Sequence, residues 1–298
     1  MATRRYEATS PLFVRPFPSL DGPVNAVKRI AAALSPVLLL YVLYTIVRWA
    51  LTDRGPALGP RHAVRLLHWE TALGLDWERP VQAFGLRHDW LVRAANWYYV
   101  AGFLPVLVLA AALAAWRAPS AFASLRRIFS VSLILALVGF AAFPLAPPRL
   151  LSADHGFVDT LLHFGPRYYG DATGSSLFNL YGSIPSTVNV YAAMPSMHVA
   201  WSAVAGALLA VAIGRRWARS LAVLHPAAMA FAVVVTGNHY VLDVVGGLFV
   251  LALAVGIVSA IPRLRRHRIS TGRRSRSASL SSFREYGRLK EDALQEAA

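Results

Sequence analysis

Two segments, MPSMH at 194–198 and TGNHYVLD at 236–243, place His198, His239 and Asp243 at the ends of stretches otherwise apolar enough to lie in lipid. Ionisable side chains are costly at membrane depth. Three of them at helix ends on one water-facing side therefore point to a reaction centre rather than to packing. His239 and Asp243 stand four residues apart. On a helix this spacing puts both on one face, so the carboxylate can hold one ring N–H and leave the other nitrogen as a nucleophile. A neutral imidazole held in this way can attack phosphorus, and a phosphohistidine divides one hard displacement into two easier ones.

His198 suits a different role. It follows Pro195 and Ser196 at an expected helix start, where backbone N–H groups can receive phosphate oxygens. Protonated, it can give its proton to a leaving oxygen, and the Ser196 hydroxyl can bond a non-bridging oxygen. Arg149, in FPLAPPRL, supplies a fixed charge and a planar fork suited to a phosphoryl group. Asn238, Tyr240, Asn96 and Tyr99 are candidates for headgroup contact, although an aromatic belt also explains the tyrosines. No carboxylate cluster requires a metal, and no cofactor is expected. His155, Asp159 and His163 have a spacing that can hold zinc but read more simply as an exposed polar face. His225, just before Pro226, reads as a kinked packing site.

The elements that must position these groups follow from composition. The chain has 298 residues, 56% hydrophobic and 15% charged, with apolar runs of a length that crosses hydrocarbon. The expected fold is all-α: a polytopic membrane protein with a six-transmembrane-helix bundle and an extra interfacial amphipathic helix. The spans are expected near Ile30 to Leu51, Leu91 to Ala115, Ile128 to Leu145, Met194 to Ile213, Leu221 to Val235 and Val241 to Ile261. The first has no clear cleavage site and is expected to be retained. HAVRLLHWETALGLDWERPVQAF, at 62–84, supplies the interfacial helix, and the Gly-, Tyr- and Ser-rich stretch before Met194 is long enough to form a lid. Gly246 and Gly247 can admit a close neighbour. A cytoplasmic arm at 1–29, a catalytic membrane domain at 30–262 and a basic disordered tail at 263–298 complete the expected organisation.

Basic residues orient the bundle. With both termini inside, the cytoplasmic side carries 21 Lys and Arg and the opposite side eight. That bias puts both termini in the cytoplasm and Arg149, His198, His239 and Asp243 on the non-cytoplasmic side of a multi-pass cell-membrane protein. A third of the Lys and Arg lie in the tail, which suits anionic lipid headgroups, so the formal charge of +15 does not require nucleic acid. The absence of Cys excludes disulfides and thiol chemistry.

PSMH followed about 40 residues later by HYVLD resembles the second and third signature segments of the type-2 phosphatidic acid phosphatase superfamily, especially its inositol phosphorylceramide synthase-like (inositolphosphotransferase) branch. The resemblance runs from about Glu70 to Gly247. It implies a six-helix bundle with a phosphoryl-transfer site, His239 as nucleophile, Asp243 orienting it and His198 as acid. The match departs from the phosphatase pattern in places. Ala142 stands where a Lys is expected, Leu150 replaces a Pro, and Ala232 and Val233 occupy the positions of a Ser-Arg pair. PPRL at 147–150 and GNHY at 237–240 lie closer to the phosphotransferase branch. The implied partners are a membrane lipid carrying phosphate at the outer leaflet and an acceptor, either water or a hydroxyl group such as that of inositol.

Two other classes remain open at this level. In a transporter or proton-coupled carrier the same His and Asp would relay protons, but such a pathway needs ionisable residues in both halves of the bundle. In a catalytically silent lipid-binding relative, the two missing cations would explain the loss of chemistry.

Overall fold

The computed structural model describes residues 54–151, 155–164 and 190–260, together with 42, 43, 45 and 46. The N-terminal arm, the basic tail, and most of the expected first span and of the expected lid lie outside the described residues.

Within them the chain is helical, and its sole β-type pairing is an isolated bridge between Leu145 and Ala192. Helix α1 spans Arg54–Leu73, α2 Glu78–Leu86 and α3 Asp89–Trp97. A π-helical turn, Tyr98–Gly102, joins α3 to α4, Phe103–Arg117. Helix α5 is Pro119–Ala142, α6 the short Thr160–Phe164, α7 Met197–Ile213 and α8 Leu221–Val235. The last of the described helices, α9, is Val241–Ala260.

Among the described residues, three helices are long and apolar enough to cross a membrane: Pro119–Ala142, Arg216–Val235 and Val241–Ala260. The α3–α4 pair, bent by 50° at the π turn, makes a fourth if taken as one broken span. Helix α7 has 17 residues and so reaches only about 26 Å at 1.5 Å per residue. It is apolar all round because it lies inside the bundle, packed against α4, α5 and α8. Gly206 makes this possible, since a Cβ there would collide with the Leu221 carbonyl oxygen at the start of α8.

The segment expected as one interfacial helix folds as two, α1 and α2, separated by a turn with Gly74 at φ +68°. Its amphipathic pattern is mixed, with Leu66 and Leu67 buried and Arg65 and Arg79 exposed as expected, but other positions reverse it. Trp69, Leu73, Trp77 and Phe84 are exposed, while Glu70, Glu78 and Gln82 are buried. Exposed indoles suit a membrane–water boundary, where an apolar ring with one polar edge is at home. The buried acids, by contrast, need partners inside the protein.

The core nearest the candidate site joins distant parts of the chain. Ala63, Leu66 and Leu67 of α1 pack with Leu145, Ala146 and Tyr240. Backbone hydrogen bonds thread the 145–149 stretch between neighbours, from Leu145 N–H to the Tyr191 carbonyl and from Ala146 N–H to that of Gly59.

Candidate active site

Helix α8 ends in a Schellman motif, and the motif places the first chemical group. Gly237, at φ +68°, donates its N–H to the Val234 carbonyl, and Asn238 donates to that of Val233. This pattern needs a left-handed residue, which only glycine supplies without strain. The His239 N–H also reaches the Val233 carbonyl, at 3.1 Å, so the turn delivers the imidazole to a fixed position.

His239 and Asp243 do meet, but not as neighbours one turn apart on a helix. Helix α9 begins at Val241, so His239 lies on the turn before it. The Asp243 carboxylate folds back instead. Its Oδ2 accepts the Tyr240 N–H at 3.0 Å and lies 3.2 Å from His239 Nδ1. This is half of a capping box, with the acid in the first turn satisfying the N-terminal amide. One buried oxygen thus both caps α9 and orients the imidazole.

His198 arrives from α7. Ser196 caps that helix by position, with extended backbone, and its N–H donates to the Asp243 carbonyl at 2.9 Å. This backbone bond ties the start of α7 to the start of α9. Gly247 admits the contact, because a Cβ there would fall inside the van der Waals shell of the Ser196 carbonyl oxygen. His198 Nδ1 is then 3.4 Å from His239 Nε2. Its ring lies against Tyr99, at 4.5 Å between centroids, and Phe103, at 4.9 Å.

Arg149 sits on the 3₁₀ turn Pro148–Leu150, its N–H on the Gly237 carbonyl. Its Nε donates to Asn238 Oδ1 at 3.0 Å, and its Nη1 lies 3.1 Å from Asp159 Oδ2. Asn238 is held at its other end as well, donating to Thr236 Oγ1. It therefore links the arginine to the turn that carries His239.

The remaining candidate residues are placed as follows. Both side-chain polar atoms of Asn96 engage Thr160. Tyr240 is fully buried, with its hydroxyl on the Ala146 carbonyl. The Ser196 hydroxyl is buried without a protein partner among the described residues. Asp159 serves Arg149 rather than forming an exposed polar face with His155, and the side chain of His163 is outside the described set. Among the described residues no group of three or more His, Asp or Glu could hold a metal. His225 is half-buried, its Nδ1 2.5 Å from the Tyr98 hydroxyl.

Three features were not legible beforehand. Phe103 joins Tyr99 against His198. Gln82 clamps the loop above the site through paired bonds to the Val158 backbone. Glu70 and Glu78 reach the start of α9 from α1 and α2. Their proximity in sequence to buried Leu66 and Leu67 was the only available signal.

Ala232 and Val233, where the phosphatase pattern has a Ser-Arg pair, are buried at 2% and 0% exposure. An arginine at position 233 would lie in the apolar packing, and Val233 contributes its carbonyl to the turn instead.

A family model of the PAP2 superfamily matches residues 64–257. The matched stretch includes α2 to α8, the arginine turn and both histidine segments, and the chain belongs to that superfamily. Comparison with curated proteins and with solved structures gave no match. Membership and several apolar helices indicate a membrane protein with phosphatase-type activity on phosphate esters, a hydrolase or phosphotransferase.

Proposed function

We propose that the protein is a six-span lipid phosphatase or phosphotransferase that acts at the outer leaflet through a phosphohistidine on His239. Both termini are cytoplasmic in this reading, with the basic tail on anionic lipid. The observation that carries it is the placement of the His239 ring between two groups, with Nδ1 3.2 Å from Asp243 Oδ2 and Nε2 3.4 Å from His198 Nδ1.

The chemistry follows from that placement. Asp243 accepts a hydrogen bond from Nδ1–H and so leaves the Nε2 lone pair for attack. As the Nε2–P bond forms, the P–O bond to the leaving group breaks and protonated His198 supplies the proton to that oxygen. Water or an alcohol then attacks phosphorus and gives its proton to His198, and the N–P bond breaks. Arg149 offsets charge on the phosphoryl oxygens. The phosphoryl group must lie between the two rings, so the 3.4 Å contact opens when substrate binds. The inositolphosphotransferase-like character rests on PPRL and GNHY and on the apolar positions 232 and 233, which replace part of the phosphatase cradle.

The test is a panel of lipid phosphates and phosphodiesters in mixed micelles, with and without inositol, using wild type and His239→Ala. The wild type is expected to release or transfer phosphate, and the variant to elute as folded protein with background turnover only. Wild-type turnover in that variant would exclude His239 as the nucleophile.

A further inference from the structure

The first amides of any helix lack partners within it. In α9 three successive ones are each taken by a carboxylate oxygen. Tyr240 N–H goes to Asp243, Val241 N–H to Glu78 Oε1 at 2.6 Å, and Leu242 N–H to Glu70 Oε1 at 2.7 Å. The last two acids come from other helices, 163 and 172 residues earlier in the chain.

These acids are not surface caps. Glu70 and Glu78 are 0% and 1% exposed, and Glu70 Oε2 has no hydrogen-bond partner among the described residues. Acids are seldom buried in this way unless they are paired or hydrogen-bonded. They also interact electrostatically with one another and with Asp243. We propose that Glu70 and Glu78 form a carboxyl clamp that fixes the start of α9, and through it the Asp243 carboxylate that orients His239. This proposal rests on the reading of His239 as nucleophile.

Both acids are positioning residues, acting through the α9 backbone. The helix N-terminus favours negative charge, but three carboxylates crowd this one. Burial pushes Glu70 up to about 9, with the facing Glu78 and Asp243 adding to the effect and the Leu242 N–H opposing it. Burial also raises Glu78. The other ionisable groups around the cluster are His239, on Asp243, and Tyr240 and Arg79, which interact with each other. A proton held on the pair at neutral pH relieves the repulsion while leaving each Oε1 free to accept its amide.

The sign of the resulting pH dependence is fixed. Between the ordinary carboxylate range and about 9, the folded state keeps a proton on Glu70 that the unfolded chain has lost. Stability is full at the acid end of that window and falls as pH rises through it.

The experiment compares Glu70→Ala, Glu78→Ala, Glu70→Gln and Glu78→Gln in the full chain in detergent, using the substrate that the panel identifies. Alanine removes the acceptor, and glutamine keeps an oxygen for the amide. Each alanine variant is expected to lose about 30- to 100-fold in kcat, with KM within about 3-fold, the size expected of a misplaced catalytic group. Each glutamine is expected to recover most of that loss. Wild type is expected to melt about 5 °C lower at pH 9 than at pH 6, and Glu70→Gln to show less than half of that drop. Wild-type kcat in folded alanine variants would overturn the clamp. So would an unchanged pH dependence of melting in Glu70→Gln, a readout that remains if the alanine variants do not fold. His239→Ala run alongside separates the two ideas: if it keeps turnover the nucleophile assignment fails, while the melting comparison still judges the clamp.

Discussion

Replacing Asp243 by Asn removes the charge while keeping an oxygen for both contacts, and puts an NH2 where Oδ1 stood. A single oxygen, Oδ2, takes both the Tyr240 N–H at 3.0 Å and the His239 contact at 3.2 Å, while Oδ1 has no partner among the described residues. An asparagine that puts its carbonyl oxygen where Oδ2 stood keeps both contacts and the imidazole tautomer. What it loses is attraction to the positive charge that His239 gains as the N–P bond forms. At an effective dielectric constant near 20, unit charges 3.2 Å apart attract by about 5 kcal/mol, an upper bound on the loss. Solvent and neighbouring dipoles reduce it to about 3–4 kcal/mol, or about 10²- to 10³-fold in kcat at 1.36 kcal/mol per decade. Asp243→Ala adds a second defect, since it leaves the buried Tyr240 N–H unpaired, at a cost of about 1–3 kcal/mol in stability. The assay is kcat in micelles together with thermal melting of both variants. The Asn variant should be folded and slow, the Ala variant slower and less stable. An Asn variant within a few-fold of wild-type kcat would refute the role assigned to Asp243.

Other outcomes follow from the same geometry. His198→Ala should lose about 10²- to 10⁴-fold on a lipid alkoxide leaving group but far less on an activated aryl phosphate that needs no proton, as paired kinetics on the two esters would show. Arg149→Lys should raise KM and lower kcat/KM about 10-fold or more, because an ammonium cannot reproduce the fork that spans Asn238 and Asp159; initial rates against substrate concentration test this. Gly247→Ala should destabilise the protein by about 1–3 kcal/mol through its clash with the Ser196 carbonyl, read as a lower melting temperature with a disturbed His198.

The convergence of His198, His239 and Asp243 was legible because each segment combines an apolar helix with a polar end, and such ends gather at one face of a bundle. The way they meet was not. Spacing of four suggested a helical face, whereas the Schellman turn at Gly237 starts α9 two residues after His239 and the aspartate caps that helix from within. A place near the ends of spans makes Asn96 and Tyr240 resemble headgroup contacts. Their partners, Thr160 and Ala146, lie 64 and 94 residues away, beyond the reach of any local pattern. The role of Glu70 and Glu78 is hidden in the sequence for a sharper reason. Acids interleaved with Trp and Leu normally mean an outward polar face, and beside a membrane that sense can invert. Of the six expected spans, α5, the Arg216–Val235 segment and α9 are long enough by themselves. The others are bent, short or outside the described residues.

The most direct measurement is to quench the working enzyme rapidly and locate phosphate on its peptides by mass spectrometry under alkaline conditions, which preserve phosphohistidine. The account predicts acid-labile phosphate, or the transferred phosphoester group, on the peptide that contains His239, absent from His239→Ala and accumulating when the acceptor is withheld. Phosphate on His198 instead, or active turnover with no covalent phosphorus on either histidine, would contradict it.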